Sequence, residues 1–118
     1  MALRVIYVKI GWEMLRERPL FGTGIGNQTV VAMEQGLYQK FGLTAERLWQ
    51  PIHNLYLLIM VELGMIGLFL FFWLLVKIFI LAISHSLLTR PEIATILSLW
   101  LSFLIFGLFD HFFWTIPV

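Results

Sequence analysis

His53 and Asn54 stand together at the mouth of a long apolar run, the most distinctive placing of chemically capable side chains in this chain. Imidazole titrates near neutral pH. A histidine at a water boundary can therefore act as a general base, or as a neutral donor to a phosphate or a sugar hydroxyl. The same pair can also do no more than cap the helix that follows. Glu62 lies nine residues on, about 13 Å deeper along a straight helix and on roughly the opposite face. That phase disfavours a His53–Glu62 dyad and favours a protonated or hydrogen-bonded acid holding a neighbouring helix. Gly64 and Gly67 fit the second reading, because small residues let another helix approach closely.

Other groups carry weaker signals. Asp110-His111 precedes Phe112-Phe113-Trp114 and reads as an interfacial helix end with an aromatic belt, on the same side as His53, where it can complete a site. Arg4, Arg16, Arg18 and Arg47 are candidate partners for a pyrophosphate, which guanidinium grips in bidentate fashion, although most surface arginines are merely solvated. Gly22, Gly24 and Gly26, followed by Asn27, form either a tight turn or a nest of backbone N–H groups for an anion. The pattern is GxGxG after a proline, with no preceding strand, and this rules out a dinucleotide fingerprint. Asn27-Gln28-Thr29 matches a glycosylation sequon, a short pattern frequent by chance. No metal set is expected: the chain has no cysteine, and His53, His85 and His111 lie far apart.

The elements that must position these groups follow from composition. Of 118 residues, 60% are hydrophobic and only 13% charged, too apolar for a soluble domain, where charged residues approach roughly a quarter. Residues 1–54 hold ten of the fifteen charged side chains, so a polar front joins an apolar back. A net charge of +1 offers nothing for nucleic acid. Charges at Lys9, Glu13 and Arg16 to Arg18 interrupt any signal-peptide core, so insertion is expected from the later helices or from sequence upstream.

Residues 2–18 predict an amphipathic helix with Leu3, Tyr7, Ile10 and Met14 on one face, stopped by Pro19. Residues 28–41 predict a second, capped by Asn27, with Val30, Met33, Leu37 and Phe41 on its face and Gly42 as its stop. A short helix is expected from Thr44 to Gln50. Leu55 to Val76 holds one charge and spans about 33 Å, enough for a bilayer core of about 30 Å; Ile93 to Phe109 gives about 25 Å. The predicted fold is an all-α membrane protein. Residues 1–54 form an extracytoplasmic amphipathic segment, and 55–118 a transmembrane hairpin with spans at about 55–80 and 93–112. Lys77, His85 and Arg90 cluster at the connecting loop, about 82–92, and the positive-inside rule puts that end in the cytoplasm. Six basic residues in the front argue the other way, offset by four glutamates.

Four stretches in register resemble the bacterial O-antigen ligase and polymerase superfamily. His53-Asn54 with Gly64 and Gly67 is similar to its His-Asn/Ser motif. Arg18-Pro-Leu-Phe-Gly-Thr-Gly-Ile-Gly-Asn27 looks like the loop preceding that motif. Arg4 stands where relatives often carry an arginine, and Asp110 to Thr115 is similar to the segment after their next membrane helix. The resemblance implies a multipass inner-membrane glycosyltransferase moving a glycan from an undecaprenyl-pyrophosphate carrier to lipid A core or a growing polysaccharide, on the periplasmic side, without metal or nucleotide sugar. It implies His53 as the catalytic residue, Arg4 as a pyrophosphate ligand, and Asn54, Arg18 and Asp110 as substrate-binding residues. Relatives have about ten to twelve spanning helices, so the chain is expected to be a fragment. A protein O-oligosaccharyltransferase, which shares the motif, and a small non-enzymatic membrane subunit are the rival readings.

Overall fold

The computed structural model describes residues 3–84 and 90–111, and these contain helices and turns but no strand. The connection at 85–89 and the aromatic belt at 112–114 lie outside the described residues.

Helix α1, Leu3–Glu17, forms as the periodicity predicts. It buries Tyr7, Ile10, Gly11, Met14 and Leu15 and ends just before Pro19. Leu3, expected on that face, is exposed. The helix expected over 28–41 is instead two: α2, Gln28–Glu34, and α3, Leu37–Lys40. Gly36 separates them at φ 65°, a left-handed conformation that glycine adopts without strain. The break resets the helical phase. Val30 and Met33, expected inside, are exposed, while Gln28 and Ala32 are buried. Asn27 occupies the N-cap position, but its side chain makes no cap hydrogen bond. The Thr44–Gln50 helix shrinks to one 3₁₀ turn, Glu46–Leu48. Side chains from the other elements hold this turn: the Tyr7 hydroxyl donates to the Leu48 carbonyl at 2.8 Å and the Tyr38 hydroxyl to that of Gln50 at 2.9 Å.

Helix α4, Leu55–Ile83, carries the largest departure from expectation. Gly64 sits inside it at φ 73°, ψ −174°, a region essentially closed to other residues, and divides it into limbs 55–63 and 65–83. On a straight helix Tyr56 and Phe72 would be about 24 Å apart. Their rings stack at 5.3 Å between centroids, so the second limb folds back past the first.

Bending a helix orphans carbonyls at the end of one limb and N–H groups at the start of the next. The loop after α1 satisfies both sets. Thr23 and Gly24 N–H donate to the carbonyls of Val61 and Glu62 at 2.9 and 2.8 Å, and Met65 N–H donates to the Pro19 carbonyl at 2.9 Å. A methyl at Gly64 would land on the Leu20 carbonyl, and one at Gly22 on the Glu62 carbonyl. Gly64 thus receives the turn that follows α1, not a second helix. A methyl at Gly67 would strike Leu63 of its own folded helix.

Every buried residue of α4 lies at or before Gly64. Leu57, Leu58 and Val61 pack with Tyr7, Ile10, Met14, Leu37, Tyr38 and Ile52 into one core. Each such aliphatic burial contributes about 1.5–3 kcal/mol, which binds the first limb to the front segment. The second limb is exposed along its length, as at Phe69 and Leu81. Lys77 lies within it, with its ammonium 5.9 Å from the Trp73 ring centroid.

Helix α5, Arg90–Gly107, runs back beside α4: Trp100 meets Phe79, and further along the Tyr56 hydroxyl donates to the Leu104 carbonyl at 2.6 Å. Among the described residues, α4 alone is both long and apolar enough to cross a membrane; the apolar stretch Pro91–Gly107 is shorter.

Candidate active site

The site is built where the two ends of the sequence's apolar half meet the front segment. Gly11 of α1 lets the chain entering α4 come close: a Cβ there would lie 2.7 Å from Ile52 Cδ1 and 3.1 Å from Leu57. This contact brings His53 beside α1 one turn earlier, where its ring stacks on Tyr7 at 5.3 Å and 28°. Tyr7 against His53, Gly11 against Leu57, and the 19–24 loop against 61–66 show that α1 and the first limb run parallel.

Asn54 fixes the next step. Its Oδ1 accepts from Leu57 N–H at 2.9 Å, a helix N-cap, while its Nδ2 donates to the Leu108 carbonyl at 3.0 Å. One side chain thus starts α4 and holds the end of α5. That tie delivers His111, whose ring meets His53 edge to face at 4.9 Å and 81°. Asp110 turns back on its neighbour, with Oδ1 accepting the His111 N–H at 2.7 Å and lying 3.3 Å from His111 Nδ1.

Electrostatics follow from this packing. His111 is only 9% exposed, and burial holds its imidazole below the usual histidine range; the adjacent His53 pushes the same way, and Asp110 opposes them. Burial raises the Tyr7 hydroxyl, so it stays protonated and keeps donating to Leu48. His53 Nδ1 is buried and has no hydrogen-bond partner among the described residues. An unsatisfied buried nitrogen is disfavoured by about 1–3 kcal/mol.

The expected site residues are partly assembled. His53, Asn54 and Asp110 converge. Arg4 is exposed on α1, one turn before Tyr7 and on the stripe of Gly11, so it borders the same end. Arg18 does not join them: it lies about 16 Å along α1 from Tyr7. The glycine loop is no anion nest at Thr23 and Gly24, whose N–H groups are engaged by α4. Glu62 is buried at the far end of the first limb, away from His53. The spacing of Tyr7 with Ile10 and Met14 marks it as a core residue. Only its ring, able to stack, hinted at the platform it forms.

A model of the O-antigen ligase family matches residues 1–72. The chain belongs to the O-antigen ligase family. The matched stretch holds α1, the docking loop, His53, Asn54 and the break at Gly64, and ends before Asp110 and His111. No curated protein and no solved structure gives a match. Membership connects this O-antigen ligase family chain with glycan transfer in polysaccharide and lipopolysaccharide biosynthesis. With the long apolar α4, it also identifies a membrane protein.

Proposed function

We propose that this chain contributes the catalytic histidine, His53, to transfer of a glycan from an undecaprenyl-pyrophosphate carrier onto an acceptor hydroxyl at the periplasmic face of the inner membrane. The observation that carries the reading is the imidazole of His53, held between Tyr7 and His111 with its buried Nδ1 unpartnered. The acceptor oxygen attacks the anomeric carbon and forms the new glycosidic bond. The bond from that carbon to the phosphate oxygen breaks, and the pyrophosphate leaves on the lipid. The hydroxyl proton passes to His53. Such general-base assistance contributes about 10²–10⁴-fold.

Arg4 is the group suited to the pyrophosphate, since guanidinium matches its oxygens in pairs. Asn54 has both polar ends engaged within the protein, so its role here is to aim His53; Asp110 does the same for His111. In this reading the second limb of α4 enters the bilayer. Residues 65–83 supply about 28 Å of apolar helix, matched to a hydrocarbon core of about 30 Å, with α5 as the returning span.

His53→Ala in cells dependent on this protein should lower glycan transfer at least 100-fold, with the variant still present in the membrane; transfer at the unaltered rate would sink the proposal. Arg4→Gln should mainly raise the donor concentration needed. Identifying the acceptor in the same assay separates lipid A core or polysaccharide from a protein acceptor.

A further inference from the structure

The end of α1 opposite His53 forms a second place with its own chemistry. Phe21 is 76% exposed and is the shared wall of two adjoining grooves. One, of about 390 Å³, is formed by Arg18 to Gly22. The other, of about 490 Å³, runs from Leu63 at the end of the first limb along Ile66, Leu70 and Leu74 on one stripe of the second. The stripe from Ile66 to Leu74 is wholly apolar and runs about 12 Å. Arg18 is the only charged side chain in either lining. Its neighbour Glu17 is hydrogen-bonded by Gln35, and Arg18 itself forms no ion pair among the described residues.

We propose that these grooves together hold one anionic phospholipid, its phosphate on Arg18 and one acyl chain along the Ile66–Leu74 stripe. A cation beside two adjoining apolar grooves, on a helix limb that is largely exposed among the described residues, matches a phosphate joined to a hydrocarbon chain. Arg18 leads directly into Pro19 and Leu20, whose backbone holds the start of the second limb. The lipid therefore spans the joint between the docking loop and that limb and clamps the bend. The glycan donor is a poorer occupant, because a pyrophosphate bound beside Arg4 and His53 cannot reach an arginine about 16 Å away.

Native mass spectrometry of the full chain, released from mild detergent with equal amounts of phosphatidylglycerol and phosphatidylcholine, tests this. The wild type should retain one phosphatidylglycerol in preference. Arg18→Gln should lower that preference about fivefold, the factor given by about 1 kcal/mol for one basic residue near a lipid surface. Arg18→Lys should keep most of it, and Leu70→Trp, which fills the apolar groove, should lower retention of both lipids. Arg47→Gln, at an exposed arginine elsewhere, should change nothing. Equal retention of the two lipids by the wild type, or an equal loss in Arg47→Gln, overturns the proposal. So does displacement of phosphatidylglycerol by an equal concentration of undecaprenyl phosphate, which would assign the groove to the donor.

Discussion

The two limbs of α4 have similar side chains and opposite surroundings. Residues 55–63 are apolar apart from Glu62, and Leu58 and Ile59 are fully buried in protein. Residues 65–83 are apolar apart from Lys77, and Phe69 and Leu81 are 69% and 75% exposed. Hydropathy treats them as one segment because it records how apolar a residue is, not which apolar neighbour covers it. The first limb is the spine of a small folded unit and ends in His53 and Asn54. The second is largely exposed among the described residues, with α5 against part of it. One glycine and one loop keep the two environments apart, so His53 is anchored against a protein core while the exposed limb starts ten residues after Leu55.

Removing the joint tests this division most severely. Gly64→Ala forces a positive φ on a residue with a Cβ, which alone costs about 1–3 kcal/mol, and drives its methyl onto the Leu20 carbonyl. Relief requires the loop to withdraw and leaves the Val61, Glu62 and Met65 backbone groups without partners. The expected loss is about 3 kcal/mol or more, visible as faster proteolysis at residues 18–26 and a lower denaturation midpoint in micelles. Unchanged protection of that loop would mean that the limbs are not held apart by it. Asn54→Ala should come next. It removes an N-cap, about 1 kcal/mol, together with the bond to Leu108, and so loosens α5 from the head of the first limb. Asn54→Asp keeps the cap acceptor and loses only the donor to Leu108. A stability between those of Asn54→Ala and the wild type would show that each half of the side chain contributes; a loss equal to that of Asn54→Ala would show that only the tie to α5 matters.

What could be read beforehand separates along the same line. Local features were legible: the stripe of Tyr7, Ile10 and Met14, the stop at Pro19, the cap at Asn54 and the placing of His53 at the mouth of the apolar run all depend on residues within a turn or two of one another. The bend was not. Gly64 and Gly67 have the spacing of a small-residue packing face, and nothing nearby distinguishes that from a break. The distinguishing partner, the Pro19–Gly24 loop, lies some forty residues earlier. Its glycines were informative only as a pair with Gly64, each backbone needing the other's close approach. Arg18 was grouped with Arg4 by residue type, and helical rise alone separates them once the direction of α1 beside α4 is known. The rotated phase of α2 has the same origin as the bend, a left-handed glycine at Gly36 that restarts the helix.

The smallest expected effect concerns the pH dependence of the junction between the first limb and α5. His111 lies beyond the end of α5, and its folded-state pKa is held down, first by burial and then by His53. Below the ordinary histidine value of about 6.5 the unfolded chain therefore binds more protons than the folded one, so stability must fall as pH falls. The contribution is complete above about pH 6.5 and declines as pH drops toward the depressed folded value. Asp110 opposes the shift, which keeps the effect modest. His111→Gln should flatten the loss of thermal stability between pH 6.5 and lower values, and Asp110→Asn, by removing the opposing charge, should steepen it. Labels on Leu108 and Tyr7 should separate as the wild type is acidified, whereas labels on Leu70 and Leu74 in the second limb should stay fixed. If both pairs moved together, the two limbs would not be independent, and the contrast between them would be a matter of exposure alone.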